Sequence, residues 1–205
     1  MLTVTDTGVI LATGSTKGGS VTLSSGAIGT TTVAGRIDVS ATATAAADAA
    51  PPPAIGGAVA VLGNTINVSN TARIDATGDH GGGTVHIGGG WQGAPVADGT
   101  IASKVTMASG AVIDASAKLA GKGGTIVAWS DVRNPLSATT VAGTLLAKGG
   151  ATQGDGGNIE TSGHQLNVNG IWVNAAAGHG AAGNWLLDPY DITIVAAPSP
   201  AEAGT

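Results

Sequence analysis

The sequence predicts an all-β chain wound as a parallel β-helix, and three observations carry that prediction. Six segments open on paired small residues and run on as alternating strands. A second motif, built around Ile-Asp, recurs between them in a constant order. The composition suits strands and tight turns: Gly supplies 35 of 205 residues, Phe and Cys are absent, Tyr occurs once and charged residues make up 10%. Gly and β-branched residues both cost helix propensity, whereas Val, Ile and Thr suit strands and Gly suits turns.

The first series comprises GGSVTL at Gly18, GGAVAV at Gly56, GGTVHI at Gly82, GGTIVA at Gly123, GGNIET at Gly156 and AGNWLL at Ala182. The anchors stand 38, 26, 41, 33 and 26 residues apart, so one unit recurs with insertions tolerated at certain corners. Residues two apart on a strand share a face. That places Val21/Leu23, Val59/Val61, Val85/Ile87, Ile126/Ala128, Ile159/Thr161 and Trp185/Leu187 inward, as core. Thr22, Ala60, His86, Val127, Glu160 and Leu186 then point outward.

The second series runs GRIDVSA at Gly35, ARIDATG at Ala72, AVIDASA at Ala111, GTLLAKG at Gly143 and WVNAAAG at Trp172. Ile37/Val39, Ile74/Ala76 and Ile113/Ala115 face in, and Asp38, Asp75 and Asp114 face out. A narrow coil leaves little room for rings, in keeping with the missing Phe. The glycine pairs are read as corner residues whose backbone angles other residues reach only with strain. With one or two coils per repeat, strands about 4.8 Å apart predict a stack roughly 30–50 Å long.

One β-helical domain is expected over 1–195. A loop insertion, ATATAAADAAPPPAI, leaves it at about 41–55, and a Pro/Ala-rich tail or linker occupies 196–205. The 42% hydrophobic content argues against disorder. A formal charge of −5 gives no electrostatic footprint for nucleic acid or an anionic membrane. Without cysteine there is no disulfide or thiolate chemistry, which suits a chain that stays unfolded during export. The start, MLTVTDTGVILATGSTKGG, has neither the basic region nor the apolar stretch of a signal peptide, so the chain reads as a fragment of a longer one.

Several constellations invite chemistry. GHGAAG, Gly178–Gly183, matches G-x-G-x-x-G, but β-branched residues and Pro189 follow where a dinucleotide site needs a helix, so no nucleotide is expected. The column Asp38, Asp75 and Asp114, with Arg36 and Arg73, resembles the acidic faces of β-helical polysaccharide lyases and hydrolases. A column that continues as Leu146 and Asn174 is not reserved for acids, and turn-forming Asp is the preferred reading. His80, His86, His164 and His179 are scattered without metal-ligand spacing, and QGDGGN (Gln153–Asn158) is a single copy of a glycine-rich turn. No catalytic residue, cofactor or metal is therefore expected. Trp91, within GGGWQGAP, is the candidate exposed ring for a ligand contact.

The block GGNIETSGHQLNVNGIWVNAAAG…NWLLDPYDITI, with GGTVHIGGGWQG (Gly82–Gly93) and AVIDASAKLAGKGGTIVAWSD (Ala111–Asp131) before it, resembles filamentous-haemagglutinin-like exoproteins. These are large adhesins exported by two-partner secretion, and the match covers roughly Ile55 to Val195. The resemblance implies a right-handed parallel β-helix in a secreted, surface-associated bacterial protein, serving as shaft or pro-region. Its implied partners are an outer-membrane transporter during export and a host-surface glycan or protein receptor. The exposed strand edges at the two ends add end-to-end self-association. The alternative is a carbohydrate-active β-helix enzyme using the Asp and Arg columns, and a weaker third reading is a passive sugar-binding surface around Trp91.

Overall fold

The computed structural model describes residues 1–5, 7–44 and 52–191. Its strands fall into three sheets of six. The first sheet holds β1 (Leu2–Val4), β4 (Thr30–Val33), β7 (Thr65–Val68), β10 (Lys104–Met107), β13 (Ala138–Val141) and β16 (Gln165–Asn167). The second holds β2 (Val9–Leu11), β5 (Arg36–Asp38), β8 (Arg73–Asp75), β11 (Val112–Asp114), β14 (Thr144–Leu146) and β17 (Trp172–Asn174). The third holds β3 (Ser20–Ser24), β6 (Ala58–Leu62), β9 (Thr84–Ile87), β12 (Thr125–Trp129), β15 (Asn158–Gly163) and β18 (Asn184–Pro189). Every ladder is parallel. The chain visits the sheets in strict rotation, so each successive trio of strands is one coil stacked on the last, as in a β-helix. Among the described residues helix is confined to a 3₁₀ turn at Trp91–Gly93.

The register places like residues over like. In the third sheet Val21, Val59, Val85, Ile126, Ile159 and Trp185 form one column. In the second, Ile10, Ile37, Ile74, Ile113, Leu145 and Val173 form another. The first sheet adds Thr31, Ile66, Val105, Thr139 and Leu166, with Val33, Val68, Met107 and Val141 beside them. Ile37, Ile66, Ile113, Ile126 and Ile159 are fully buried where the three columns meet. Each contributes roughly 1.5–3 kcal/mol by leaving water.

The glycine doublets have a different cause from the one expected. None has a positive φ. Instead a carbonyl oxygen occupies the place of the missing Cβ. At the second position of each pair a Cβ would lie 2.1 Å from Gly19 O at Gly57, 2.1 Å from Gly57 O at Gly83 and 2.0 Å from Gly83 O at Gly124. At the first position it would meet the following coil, 1.9 Å from Ala76 O at Gly56 and 1.8 Å from Ala115 O at Gly82. The doublet is where successive coils come closest, and no side chain fits between them.

Three strands per coil and one coil per repeat also correct the length. Six coils span five strand spacings, about 24 Å, rather than 30–50 Å. Ala41 and Ile55 each bridge into the ladders of neighbouring coils. The described flanks of the expected loop also stay tied to the stack, the Ala43 N–H donating to Asp79 Oδ2 at 2.8 Å and the Ala54 carbonyl accepting from the His80 N–H at 2.8 Å. Residues 45–51 of that loop, and the expected tail at 196–205, lie outside the described residues. A larger insertion, residues 88–103, leaves the corner between the third and first sheets, and 130–137 does so one coil later.

Candidate interaction surfaces

The outer faces of the second and third sheets differ. On the second sheet Asp38, Asp75 and Asp114 stand in register, flanked by Leu11, Leu146 and Asn174. Each carboxylate turns back onto its own chain. The Oδ1 atoms accept the backbone N–H two residues on: Ser40 to Asp38 at 2.9 Å, Thr77 to Asp75 at 3.0 Å and Ser116 to Asp114 at 2.9 Å. Asn174 makes the same bond with Ala176 at 3.0 Å. These are Asx turns that steer the chain from the second sheet toward the third.

The arginines do not complete an acidic site. Arg36 pairs with Asp38 at 2.5 Å from a half-exposed position, worth little in energy. Arg73 donates to the backbone carbonyls of Ala72 and Gly110, both at 2.7 Å. Asp75 takes a further hydrogen bond from the Thr77 hydroxyl at 2.6 Å. The carboxylates thus have local structural partners.

The third sheet carries apolar residues on its outer face as well. Leu62 and Val127 are fully buried there and Trp129 is 5% exposed. The insertion at 88–103 lies over them. Gly89 and Gly93 sit flat against the Trp129 indole, where a Cβ would come 2.6 Å and 2.9 Å from ring carbons. Two polar contacts fasten this cover at opposite ends. Asp98 accepts from the Ser24 hydroxyl in the first coil at 2.6 Å. The backbone N–H of Gln92 donates to Glu160 Oε2 in the fifth coil at 2.8 Å, from a left-handed conformation with φ 52°.

Glu160 and Val127, read as outward, do point away from the coil interior, yet both are fully buried. The Ser162 hydroxyl donates to Glu160 Oε1 at 2.7 Å. Burial nevertheless pushes the Glu160 carboxyl above its usual range; desolvation outweighs the two hydrogen bonds, and the Asp188 charge adds to the rise. His86, one strand from Val127 and two from Glu160 in the same outward row, has its imidazole lowered by burial. On the loop, Asp98 is held below the usual carboxylate range by Ser24 and Thr100.

Trp91 requires a correction. It lies half-buried in the 3₁₀ turn of the cover rather than as an exposed ring. The most exposed rings among the described residues are at the last coil: Trp172 and Tyr190, each 63% exposed, with Tyr190 stacked on His164 at 4.5 Å. An open groove of about 580 Å³ runs there between Leu166, His164, Leu187 and Pro189. Val59, Val61, Val85, Ile87, Ile126 and Ile159 are buried, while Val21 and Leu23 in the first coil are half-buried. Trp185 and Leu187 keep their place in the inward column but are 37% and 39% exposed, because no coil among the described residues covers them.

The remaining candidates separate. After Gly178–Gly183 the chain enters β18, with no helix to receive a pyrophosphate. His80 accepts from the Ala54 N–H, His164 Nδ1 contacts the Val132 carbonyl, and His179 is exposed. Asp155 of the QGDGGN turn accepts the Ala181 N–H. Among the described residues no three His, Asp or Glu side chains gather as a metal site. Sequence reasoning missed the cover over Trp129. Its signal was present: Leu62, Val127 and Trp129 are apolar at outward positions, and a 16-residue insertion opening on Gly88–Gly90 stands nearby to bury them.

No family model matches the chain, and no curated protein matches it. Among solved structures it is similar to the HMW1 secretion domain from Haemophilus influenzae, at 23% identity and a TM-score of 0.56 over 88% of this chain. The chain spans about half that domain, 49% of its length. That similarity establishes the shared fold.

Proposed function

We propose that the chain is a non-enzymatic segment of a secreted bacterial adhesin exported by two-partner secretion, acting as shaft or pro-region. In this reading the fold is a right-handed parallel β-helix, a single solenoid domain over 1–195 with a linker at 196–205. The observation that carries it is the fold shared with a secretion domain over 88% of the chain. The WLLDP-x-DITI block and its upstream companions add sequence support. The Asx-turn role of Asp38, Asp75 and Asp114 weighs against the carbohydrate-active alternative.

The geometry suits such a role. Inward side chains of the inner coils are buried by the coils above and below them, so a coil gains little until its neighbour has arrived. A chain without cysteine carries no crosslink that would hold it folded before passage. Once stacked, the ladders make a stiff rod whose loops at the third-to-first-sheet corner remain free to vary. The partners in this reading are an outer-membrane transporter during export and, at the cell surface, a host glycan or protein. Trp91 within the cover and the rings of the last coil are the places to look for a sugar contact.

Co-expression of an exoprotein carrying this segment with a two-partner transporter tests the reading. The expected result is release to the medium or the cell surface in a protease-resistant form that depends on the transporter. Release without the transporter would contradict it. So would unsaturated products absorbing near 235 nm from pectin or alginate that disappear in Asp75→Asn or Asp114→Asn.

A further inference from the structure

The two ends of the stack are chemically unlike. At the first position of each doublet the missing Cβ faces the following coil: 1.7 Å from Val39 O at Gly18, 2.2 Å from Ala147 O at Gly123 and 1.9 Å from Ala175 O at Gly156. At the second position it faces the preceding coil. Gly183 obeys this rule, since its Cβ would lie 2.0 Å from Gly157 O. Its neighbour Ala182 occupies the first position of the sixth coil and carries the methyl group that five glycines avoid. That methyl is exposed and faces the side on which a seventh coil would stack.

The backbone at Ala182 continues the register of the glycines. Ala181 O accepts from Gly156 N at 2.9 Å, as Asp155 O does from Gly123 N at 2.9 Å and Lys122 O from Gly82 N at 3.0 Å. A coil added with the same ladder would bring a carbonyl oxygen into the Ala182 methyl. Relieving that overlap takes a displacement of more than about 1 Å, which stretches the ladder hydrogen bonds beyond useful length. The opposite end is open. Gly19 keeps the second glycine although no carbonyl of a preceding coil fills its Cβ space; its nearest neighbours are Ala12 Cβ at 3.0 Å and Ala12 O at 3.1 Å, both of its own coil. Around it the inward residues of the first coil, Ile10, Val21 and Leu23, are only half-covered.

We infer that Ala182 is a stop that prevents another coil from stacking in register on β18, and that the end formed by β1, β2 and β3 is the seat for one. The occupant that fits this seat is a parallel β-coil with glycine at its own first doublet position. A second copy of this chain would present Ala182 there, so the methyl also blocks head-to-tail polymerisation of the native protein. The inference rests on the fold alone and stands whether or not the adhesin reading does.

The test uses copies of the chain as probes. In sedimentation velocity the native protein is expected to run as a single copy, with Ala182→Gly gaining mass as concentration rises. Ala182→Gly combined with Gly19→Ala should return to one copy, because the second methyl closes the other end. Thermal melts confirm that each variant is folded. A complementary variant acts within the chain: Gly156→Ala should detach the sixth coil, seen as proteolysis after Gly163 that spares the first five coils. The inference is overturned if Ala182→Gly stays a single copy, if the double variant associates as strongly, if the native protein polymerises in the same way, or if Gly156→Ala leaves the sixth coil as protected as before.

Discussion

Ile126 in the fourth coil and Trp185 in the sixth stand in one column of one sheet, reached by the same doublet-and-strand motif. Ile126 is fully buried and Trp185 is 37% exposed. The strand cannot be the reason, since both are paired and in register. What differs is the neighbour: Ile126 has a coil on each side and Trp185 on one. The side chains reflect this. An indole at the centre of the stack would overfill a cross-section that Val59, Val85 and Ile159 already complete. At the last coil it lies across the open end, its Nε1–H donating to Thr161 Oγ1 at 3.1 Å.

Substitutions in the two regions should separate accordingly. The largest effect is expected at the coil contacts. Gly124→Ala forces a methyl against Gly83 O and should cost about 3 kcal/mol or more in chemical denaturation. Gly170→Ala, where φ is +80° but the nearest atom is 3.9 Å away, should cost only the left-handed penalty of roughly 1–2 kcal/mol. Equal losses would return the glycines to a conformational explanation.

Next come the core columns. Ile126→Ala should lose about 2–5 kcal/mol, whereas Leu187→Ala, 39% exposed at the last coil, should lose under about 1.5 kcal/mol. A smaller effect is expected on the second sheet. Asp75→Ala removes an Asx turn and should cost about 1 kcal/mol. Asp75→Asn should be near neutral, as Asn174 already makes that turn with an amide. A large loss in Asp75→Asn would mean that the charge itself matters.

Glu160 gives the subtlest contrast, read from pH. Its folded carboxyl titrates above its unfolded value, so the folded state binds more protons between the two. Stability attributable to this group therefore falls as pH rises through that interval and recovers on acidification below it. Glu160→Gln can accept from the Gln92 N–H with its amide oxygen and donate to Ser162 Oγ with its amide nitrogen, without the buried charge. It should raise Tm at neutral pH, and the gain should shrink as pH falls below the carboxylate range. A gain that is constant with pH would place the effect elsewhere.

The sequence disclosed much of this because two of the three sheets announce themselves. The doublets locate the third sheet and Ile-Asp the second, and both inward columns follow from alternation. The first sheet stayed hidden: TTTV, TINV, KVTM and ATTV put Thr, Asn or Lys on their outward side and have no glycine anchor. Its Thr31 and Thr139 even face inward, where a carbonyl and a hydroxyl satisfy them: Thr31 donates to Leu62 O at 2.6 Å and Thr139 to Ser130 Oγ at 2.8 Å. The cover over Trp129 was hidden for another reason. Which insertion folds back over which face is decided by contacts between coils 1, 3, 4 and 5, and no local pattern records them. The glycine pairs were legible as a position but not as a cause, since a turn and a close approach leave the same letter.

Native-state hydrogen exchange across one ladder tests most directly whether neighbouring coils, rather than the strands themselves, supply the stability. Amides of β12 should open only with global unfolding, and those of β18 should exchange orders of magnitude faster through detachment of the last coil. Equal protection in β12 and β18 would contradict the account.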